Sequence, residues 1–345
     1  MARTIFLTKN LTKAIERIKE PSHFLWDKCI GNEVIESTVE IEIHTKDAGR
    51  LRAPLVGRRD GLILVEKQEW ASDKFAPPHI KLKVVNEAEE MFEQQFGRTE
   101  YDTTYSPGHA ELAKELIKLK SIGYRTRIWM LAQILNTGIC PLADGKAGIT
   151  FNNTFAKEIL SGSDLWSNAS ADIIGYIEEK QAEIQQTTGI VIDTLIISPD
   201  VTPYIMKNSS VLEALKQVNA NTFQVDSTTQ SEKRKKYKRI AYIPSLDVTI
   251  YSYRDWVKKI GDNDEGLLVP SKTIIGLQAG SFSCHFGSLA LKSEPTAKKA
   301  MKHVAKEVVR SWTTDQTEDD ELQYFSAPII LPDDAQGWFT SQVLV

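Results

Sequence analysis

Residues 106–136 constrain the fold more than any other stretch. Leu112, Leu116 and Leu119, then Ile128, Leu131 and Leu135, recur at helical spacing. Ser106 is a candidate N-cap, Pro107 suits the first helical position and Gly138 suits a left-handed stop. Roughly thirty residues at ~1.5 Å each make a rod of about 45 Å. A rod of that length predicts a structural spine along which other elements are laid.

Before the spine, residues 1–30 read as an arm. Leu11, Ala14, Ile15 and Ile18 give a short amphipathic helix decorated by Lys9, Lys13, Arg17 and Lys19. Glu20-Pro21 stops it, because proline disfavours helical geometry in the residue before it. An extended Phe24-Leu25-Trp26 is expected next. So short a helix is marginal alone in water and must pack on something, another subunit being one option. Residues 33–45 alternate and predict one strand with a buried face. Residues 50–83 carry Arg50, Arg52, Arg58 and Arg59 around Ala53-Pro-Leu-Val-Gly57, then two strand-like segments, Leu62–Trp70 and Lys74–Val84. The expected turn is Ala71-Ser72-Asp73, with Trp70 and Phe75 near the tip. Pro77-Pro78 makes the second strand an edge, since proline cannot donate to a ladder. A lone hairpin is marginal in water, so this one must lie on its own domain or on a neighbour.

Beyond the spine, a second lobe of α/β type is expected. Ser170 is its first helix cap; Ile173, Ile174, Ile177 and Ile184 form one helix face, and Gly189 ends it. Ile190–Ile197 reads as a buried strand, Ser198-Pro199-Asp200 as a turn, 209–217 as a short helix, and 240–251 and 267–276 as strands. Residues 295–310 read as a basic helix bearing Lys298, Lys299, Lys302, His303, Lys306 and Arg310. An acidic turn at Asp315–Glu321, a strand at Leu322–Leu331 and the segment Trp338–Val345 complete the chain.

Covalent chemistry finds no support. The nearest phosphate-loop candidate, Gly138 to Gly145-Lys146, is too long, is interrupted by Pro141 and ends in Ala147 where a hydroxyl is needed. Neither G-x-G-x-x-G nor G-x-S-x-G occurs. Cys284-His285 are sequence neighbours, and neighbours in a strand point to opposite faces, so a hydrolase with Cys284 as nucleophile is disfavoured. No H-x-x-x-H pair occurs, and the acidic run lacks the spacing of a calcium loop. No cofactor or metal is expected. The three cysteines, Cys29, Cys140 and Cys284, predict reduced thiols. No apolar run approaches the ~20 residues of a membrane span, and the N-terminal Ile5-Phe6-Leu7 is too short for a secretory signal, so the cytoplasm of the producing cell is the expected location. Forty-two basic residues against 46 acidic ones give a net charge of −4, which excludes a bulk polycation but permits local patches. The strongest patch is Lys233-Arg-Lys-Lys-Tyr-Lys-Arg239. It is either a solvated loop or a phosphate contact, and the latter leaves a DNA-binding protein that forms no shell as the alternative function.

An arm, an arginine-rich hairpin, a long spine helix and two α/β lobes are the profile of an assembly subunit. Five stretches resemble the major capsid protein of lambda-type tailed phages, the capsid E family. They are Ala14-Ile-Glu-Arg-Ile-Lys-Glu-Pro-Ser-His-Phe-Leu25, Ala53-Pro-Leu-Val-Gly57 with Lys74-Phe-Ala-Pro-Pro-His-Ile-Lys81, Met130-Leu-Ala-Gln-Ile-Leu-Asn-Thr-Gly138, Thr273-Ile-Ile-Gly276, and Phe325-Ser-Ala-Pro-Ile-Ile-Leu-Pro332 with Ser341-Gln-Val-Leu344. Their order resembles the family nearly end to end, from about residue 11 to 345.

The resemblance implies an α+β, Hong Kong 97-like capsid fold. Its parts would be an N-terminal arm (1–37), an extended hairpin or E-loop with flanking strands (38–85), a peripheral domain with the spine helix (86–165 and 300–345) and an α/β axial domain (166–299). It implies a non-enzymatic major capsid protein that self-assembles as hexamers and pentamers into an icosahedral shell around packaged double-stranded DNA. The implied partners are other copies, a separate scaffolding protein, a portal, DNA bound without sequence specificity, and, as in lambda-like relatives, a decoration protein. Subunit-interface candidates are Phe24, Trp26, Arg58, Arg59, Trp70 and Phe75. Candidates for the capsomer centre or DNA are Lys233, Arg234, Lys235, Lys236, Lys238 and Arg239.

Overall fold

The structure is a computed structural model, and it describes residues 8–20, 22–46, 70–86, 107–142, 147–211, 236–292, 299–313 and 320–344. The N-terminal part supplies α1 (Thr8–Arg17), α2 (Phe24–Cys29), β1 (Ile30–Ile35), β2 (Ile41–Lys46), β3 (Trp70–Phe75), β4 (Ile80–Asn86) and α3 (Pro107–Thr137). Then come β5 (Ile139–Cys140), β6 (Ile149–Thr150), β7 (Ala156–Ile159), α4 (Ile173–Thr188), β8 (Thr194–Ile197), α5 (Thr202–Lys207), β9 (Tyr237–Ile243) and β10 (Val248–Tyr253). The C-terminal part holds β11 (Trp256–Lys258), β12 (Glu265–Leu267), β13 (Thr273–Leu277), β14 (Phe282–Phe286), β15 (Leu289–Lys292), β16 (Ala300–His303), β17 (Val308–Thr313), β18 (Asp320–Ser326), β19 (Pro328–Pro332) and β20 (Trp338–Gln342).

The spine forms as its pattern predicts. Helix α3 runs for 31 residues and ends at Gly138, whose φ of 69° is left-handed and whose amide donates to the Ile134 carbonyl. Its two halves differ. The N-terminal half buries one face, Leu116 and Leu119, while Ile117 stays exposed. Around its C-terminal end Met130, Leu131, Ala132, Ile134 and Leu135 are all buried, so the helix enters the protein interior.

A six-stranded mixed sheet, in the order β7-β20-β13-β8-β10-β9, takes that buried end on one face. Ile196, Ile275 and Leu277 pack toward α3. Leu195, Ile197, Ile250 and Ile274 point the other way, onto Ile173, Ile177 and Ile184 of α4. Covered on both faces, β8 and β13 are wholly buried, as their unbroken apolar runs require. The exposed half of the spine instead meets a three-stranded sheet, β17-β18-β4, with α1 laid beside it. Leu11 and Ile15 of α1, Leu116 and Leu119 of α3, and Val309, Leu322 and Tyr324 form that second core. A smaller sheet, β1-β14-β19, joins the arm to the C-terminal strands.

Several expectations are corrected. Residues 24–29 form helix α2 and not an extended segment, because one short helix buries Phe24, Leu25, Trp26 and Cys29 together. The strand expected at 33–45 is two, β1 and β2, in different sheets. Residues 71–73 lie within β3, paired with β2 from Ile41↔Phe75 to Lys46↔Trp70, so they are no turn. Phe75 therefore lies at the root of this ribbon, and Pro77-Pro78 lie between strands, while β4 is indeed an edge. Asp172, not Ser170, caps α4 by accepting the Gly175 amide. The buried strand is only Thr194–Ile197, the 240–251 and 267–276 segments each divide, and 322–331 breaks at Ala327. The largest error is the basic helix. Of 295–310, residues 300–303 and 308–310 lie in β16 and β17, and Val308 and Val309 are buried. Charges at spacings of four resemble a helix, but pairing of β16 with β15, pairing of β17 with β18 and the β-branched pair Val308-Val309 decide for strand. Only 209–211 of the helix expected at 209–217 are described, and they are helical.

Candidate assembly site

The arm is fixed to the spine by a buried ion network. Arg127 of α3 is fully buried. Its Nη2 donates to Glu20 Oε1 at 2.8 Å and to Glu307 Oε1 at 3.0 Å. Nε and Nη1 have no hydrogen-bond acceptor. The guanidinium is instead surrounded by the rings of Trp26, Tyr124 and Phe286, with centroids 5.5, 5.2 and 5.4 Å from Cζ, and cation–π attraction offsets part of its lost hydration. Lys120, two helical turns earlier, donates to the carbonyls of Ile15 and Ile18 at 2.8 and 2.6 Å. Those carbonyls lie at the end of α1, where intrahelical donors run out. Lys306 bridges Glu20 at 2.9 Å and Glu33 at 2.7 Å. Three bases (Lys120, Arg127, Lys306) thus balance three acids (Glu20, Glu33, Glu307) across the arm, the spine and the approach to β17. Burial would raise the Glu20 carboxyl, but Arg127 and Lys306 outweigh it and hold it below the usual carboxylate range. Burial alone would lower Arg127, yet Glu20 and Glu307 keep it above its ordinary value, so it stays charged.

A second cluster pins α2 to the large sheet. His23 Nε2 lies 3.0 Å from Asp255 Oδ2, Lys236 Nζ donates to both Asp255 oxygens at 2.8 and 2.7 Å, and the Trp256 amide donates to Oδ1 at 2.9 Å. Phe24 stacks on Tyr237 and Tyr253 at centroid distances of 4.4 and 5.4 Å. Burial pushes the Asp255 carboxyl up, but the bonds from His23 and Lys236 prevail and set it at about 2.

The site candidates divide accordingly. Phe24 and Trp26, expected as subunit-interface residues, are buried in the core of the single chain. A bulky aromatic next to a short helix was as much a core anchor as a contact residue. Phe75 is half-buried against that core, and Trp70 closes β3 opposite Lys46. Lys236 is engaged by Asp255, whereas Lys238 and Arg239 are exposed on β9. Arg58, Arg59, Lys233, Arg234 and Lys235 lie outside the described residues. Arg127, Glu20 and Glu307 were missed. The available signal was a cation set inside an apolar helical stripe, between Tyr124 and Leu131.

No nucleophilic site forms around Cys284. Its side chain is buried and burial pushes the thiol up, as it pushes Cys29 to about 12 and Cys140 to about 11. His285 is on the opposite face, 3.0 Å from Glu36 Oε1 and 3.1 Å from Ser283 Oγ. Among the described residues no group of three or more His, Cys, Asp or Glu is placed to hold a metal ion, and no helix is long and apolar enough to cross a membrane.

Comparison with known families decides between the assembly and DNA-binding readings. A family model for phage major capsid protein E matches residues 8–343. The chain belongs to the phage major capsid protein E family. Among solved structures, this capsid protein is similar to a prophage protein of E. coli CFT073 assigned as a capsid protein, at 14% identity and a TM-score of 0.66, with 97% of this chain and 98% of that one covered. It is also similar to a phage-related protein of Bordetella bronchiseptica RB50, at 11% identity, a TM-score of 0.51 and coverage of 96% and 95%. The capsid of an empty GTA particle matches at 7% identity, a TM-score of 0.50 and coverage of 96% and 94%. A search of curated proteins gives no match. The capsid protein has the Hong Kong 97-like fold and forms the shell of a phage head. A DNA-binding protein that forms no shell is not favoured.

Two outcomes follow from the anchoring clusters. Arg127→Ala leaves Glu307 buried without its main partner and is expected to lower unfolding free energy by about 3–5 kcal/mol in chemical denaturation. Asp255 titrates lower in the folded chain than in the unfolded one, so its stabilisation is complete above about pH 4 and lost as pH falls toward its folded value of about 2. Melting temperatures measured from pH 6 to pH 2 should fall less steeply for Asp255→Asn than for the wild type.

Proposed function

We propose that this capsid protein assembles as hexamers and pentamers that close into an icosahedral head shell around the double-stranded DNA of a tailed phage. The observation that carries the reading is the ribbon β2–β3. It is rooted in the core through Ile41 and Phe75 and joins no other sheet among the described residues. Its strands run out at Lys46 and Trp70, with residues 47–69 between them. A two-stranded ribbon gains little stability alone, so a neighbouring copy is its natural support. On this reading residues 38–85 are the E-loop with its flanking strands, 1–37 the arm, 86–165 with 300–345 the peripheral domain and 166–299 the axial domain. Arg58, Arg59, Trp70 and Phe75 belong to the E-loop contact.

Identical complementary surfaces repeated around a closed shell turn weak contacts into a stable assembly. The remaining partners are a separate scaffolding protein, a portal, a decoration protein on the outer surface, and DNA held without sequence specificity. Assembly takes place in the host cytoplasm and needs no enzymatic step by this chain. The mild net charge of −4 supports a shell that encloses DNA without binding it tightly.

Deleting residues 50–66 keeps β2 and β3 and removes most of the sequence between them. In cells that also make the other head proteins, the variant should yield soluble subunits with wild-type melting behaviour and no closed particles by electron microscopy. Normal shells from this variant would overturn the E-loop assignment.

A further inference from the structure

Strands β11 and β12 form a hairpin that joins no other sheet among the described residues. Its root is rigid. Asp255 is held by His23 and Lys236, and the Leu268 amide donates to the Asp255 carbonyl at 3.0 Å. Beyond the root, Val257 and Leu267 are half-buried, Val257 against the main core, and the other residues face solvent. Trp256 is 50% exposed and Ile260 70% exposed. Lys258, opposite Glu265, and Lys259 lie on the first strand's side, and beyond them Asp262 and Asp264, next to Gly261 with its left-handed φ of 94°, make the tip acidic. An exposed tryptophan and isoleucine on a two-stranded ribbon are poorly stabilised by water alone and gain from burial against a partner.

The partner surface is on the same molecule. Strand β9 is the edge of the six-stranded sheet, and an edge presents unpaired backbone groups. It carries Lys238 and Arg239, both exposed. Lys236, one residue before β9, holds the hairpin root through Asp255 at 2.7 Å, so acidic hairpin and basic edge flank one corner of the subunit. Two different, complementary patches beside one corner define a head-to-tail contact, and head-to-tail contacts close into rings when the rotation permits.

Resting on the shell-forming reading above, we infer that the acidic β11–β12 hairpin of one subunit docks on the basic β9 edge of the next subunit within a capsomer. Opposite charge selects the neighbour and sets register, and Trp256 and Ile260 supply the buried apolar area. The basic residues of β9 thereby serve subunit contact and not DNA.

Charge exchange tests this in cells making the other head proteins. Lys238→Glu with Arg239→Glu sets acid against acid, and Asp262→Lys with Asp264→Lys sets base against base. Each double variant should melt as the wild type does, yet lose rings and shells. The fourfold variant, with both surfaces reversed, should recover closed shells. Coexpressing the two double variants should recover rings of six by alternation but no rings of five, because an odd ring cannot alternate, and so no closed shells. Double variants that assemble like the wild type would overturn the docking, as would a normally melting fourfold variant that fails to assemble. Double variants that form shells but package less DNA would assign β9 to nucleic acid instead. Failure of the wild type itself to assemble would count against the shell-forming reading rather than this contact alone.

Discussion

A guanidinium without water must be held from several sides, and Arg127 organises this subunit for that reason. Removing a charge from water costs several kcal/mol even after relaxation, so the site is stable only with good geometry around it. Here the geometry draws on four parts of the chain: the N-terminal segment with Glu20 and Trp26, the spine with Tyr124, β14 with Phe286, and Glu307 from the approach to β17. Because Glu20 and Glu307 lie 107 and 180 residues away in sequence, the network closes only when the arm and the C-terminal strands are in place. The arm helix is then capped by Lys120, and the N-terminal core of Leu11, Ile15 and Val309 can form. Helices α1 and α2 are thus part of the body of their own subunit.

That arrangement suits a shell protein. The interior is fixed by a buried ion network, a sheet covered on both faces and a spine that enters both cores. What extends from it, ribbon β2–β3 and hairpin β11–β12, is two-stranded, rooted at one end and little supported by its own chain. A rigid body with underpinned roots and weakly self-satisfied extensions directs its unspent contact surface toward other copies. Repetition around a closed particle then compensates for the weakness of each contact.

How far the sequence could be read follows from the range of the interactions. The spine, α1, the Gly189 stop of α4 and the alternation of Cys284 and His285 were legible, because periodicity and capping are local. The β8 run was legible as a buried strand because both its faces are covered. The basic segment 295–310 reads as a helix by its charge spacing, while residues 300–303 and 308–310 are strands by pairing with β15 and β18. Helix α2 was missed for a similar reason: six residues are too few to show a period, and burial of Phe24, Leu25 and Cys29 decides their shape. At the site, Phe24 and Trp26 were conspicuous but their direction was not, because inward and outward aromatics look alike in sequence. Arg127 stood visibly in an apolar stripe, but its partners could not be read from so far away.

The most direct measurement is the mass and shape of the particles this chain forms with the other head proteins, by light scattering combined with electron microscopy. The account predicts closed, uniform shells built of rings of five and six subunits, with the arm of each subunit lying on its own spine. A chain that stays monomeric with those proteins present, or shells in which the arm crosses to a neighbouring subunit, would contradict it.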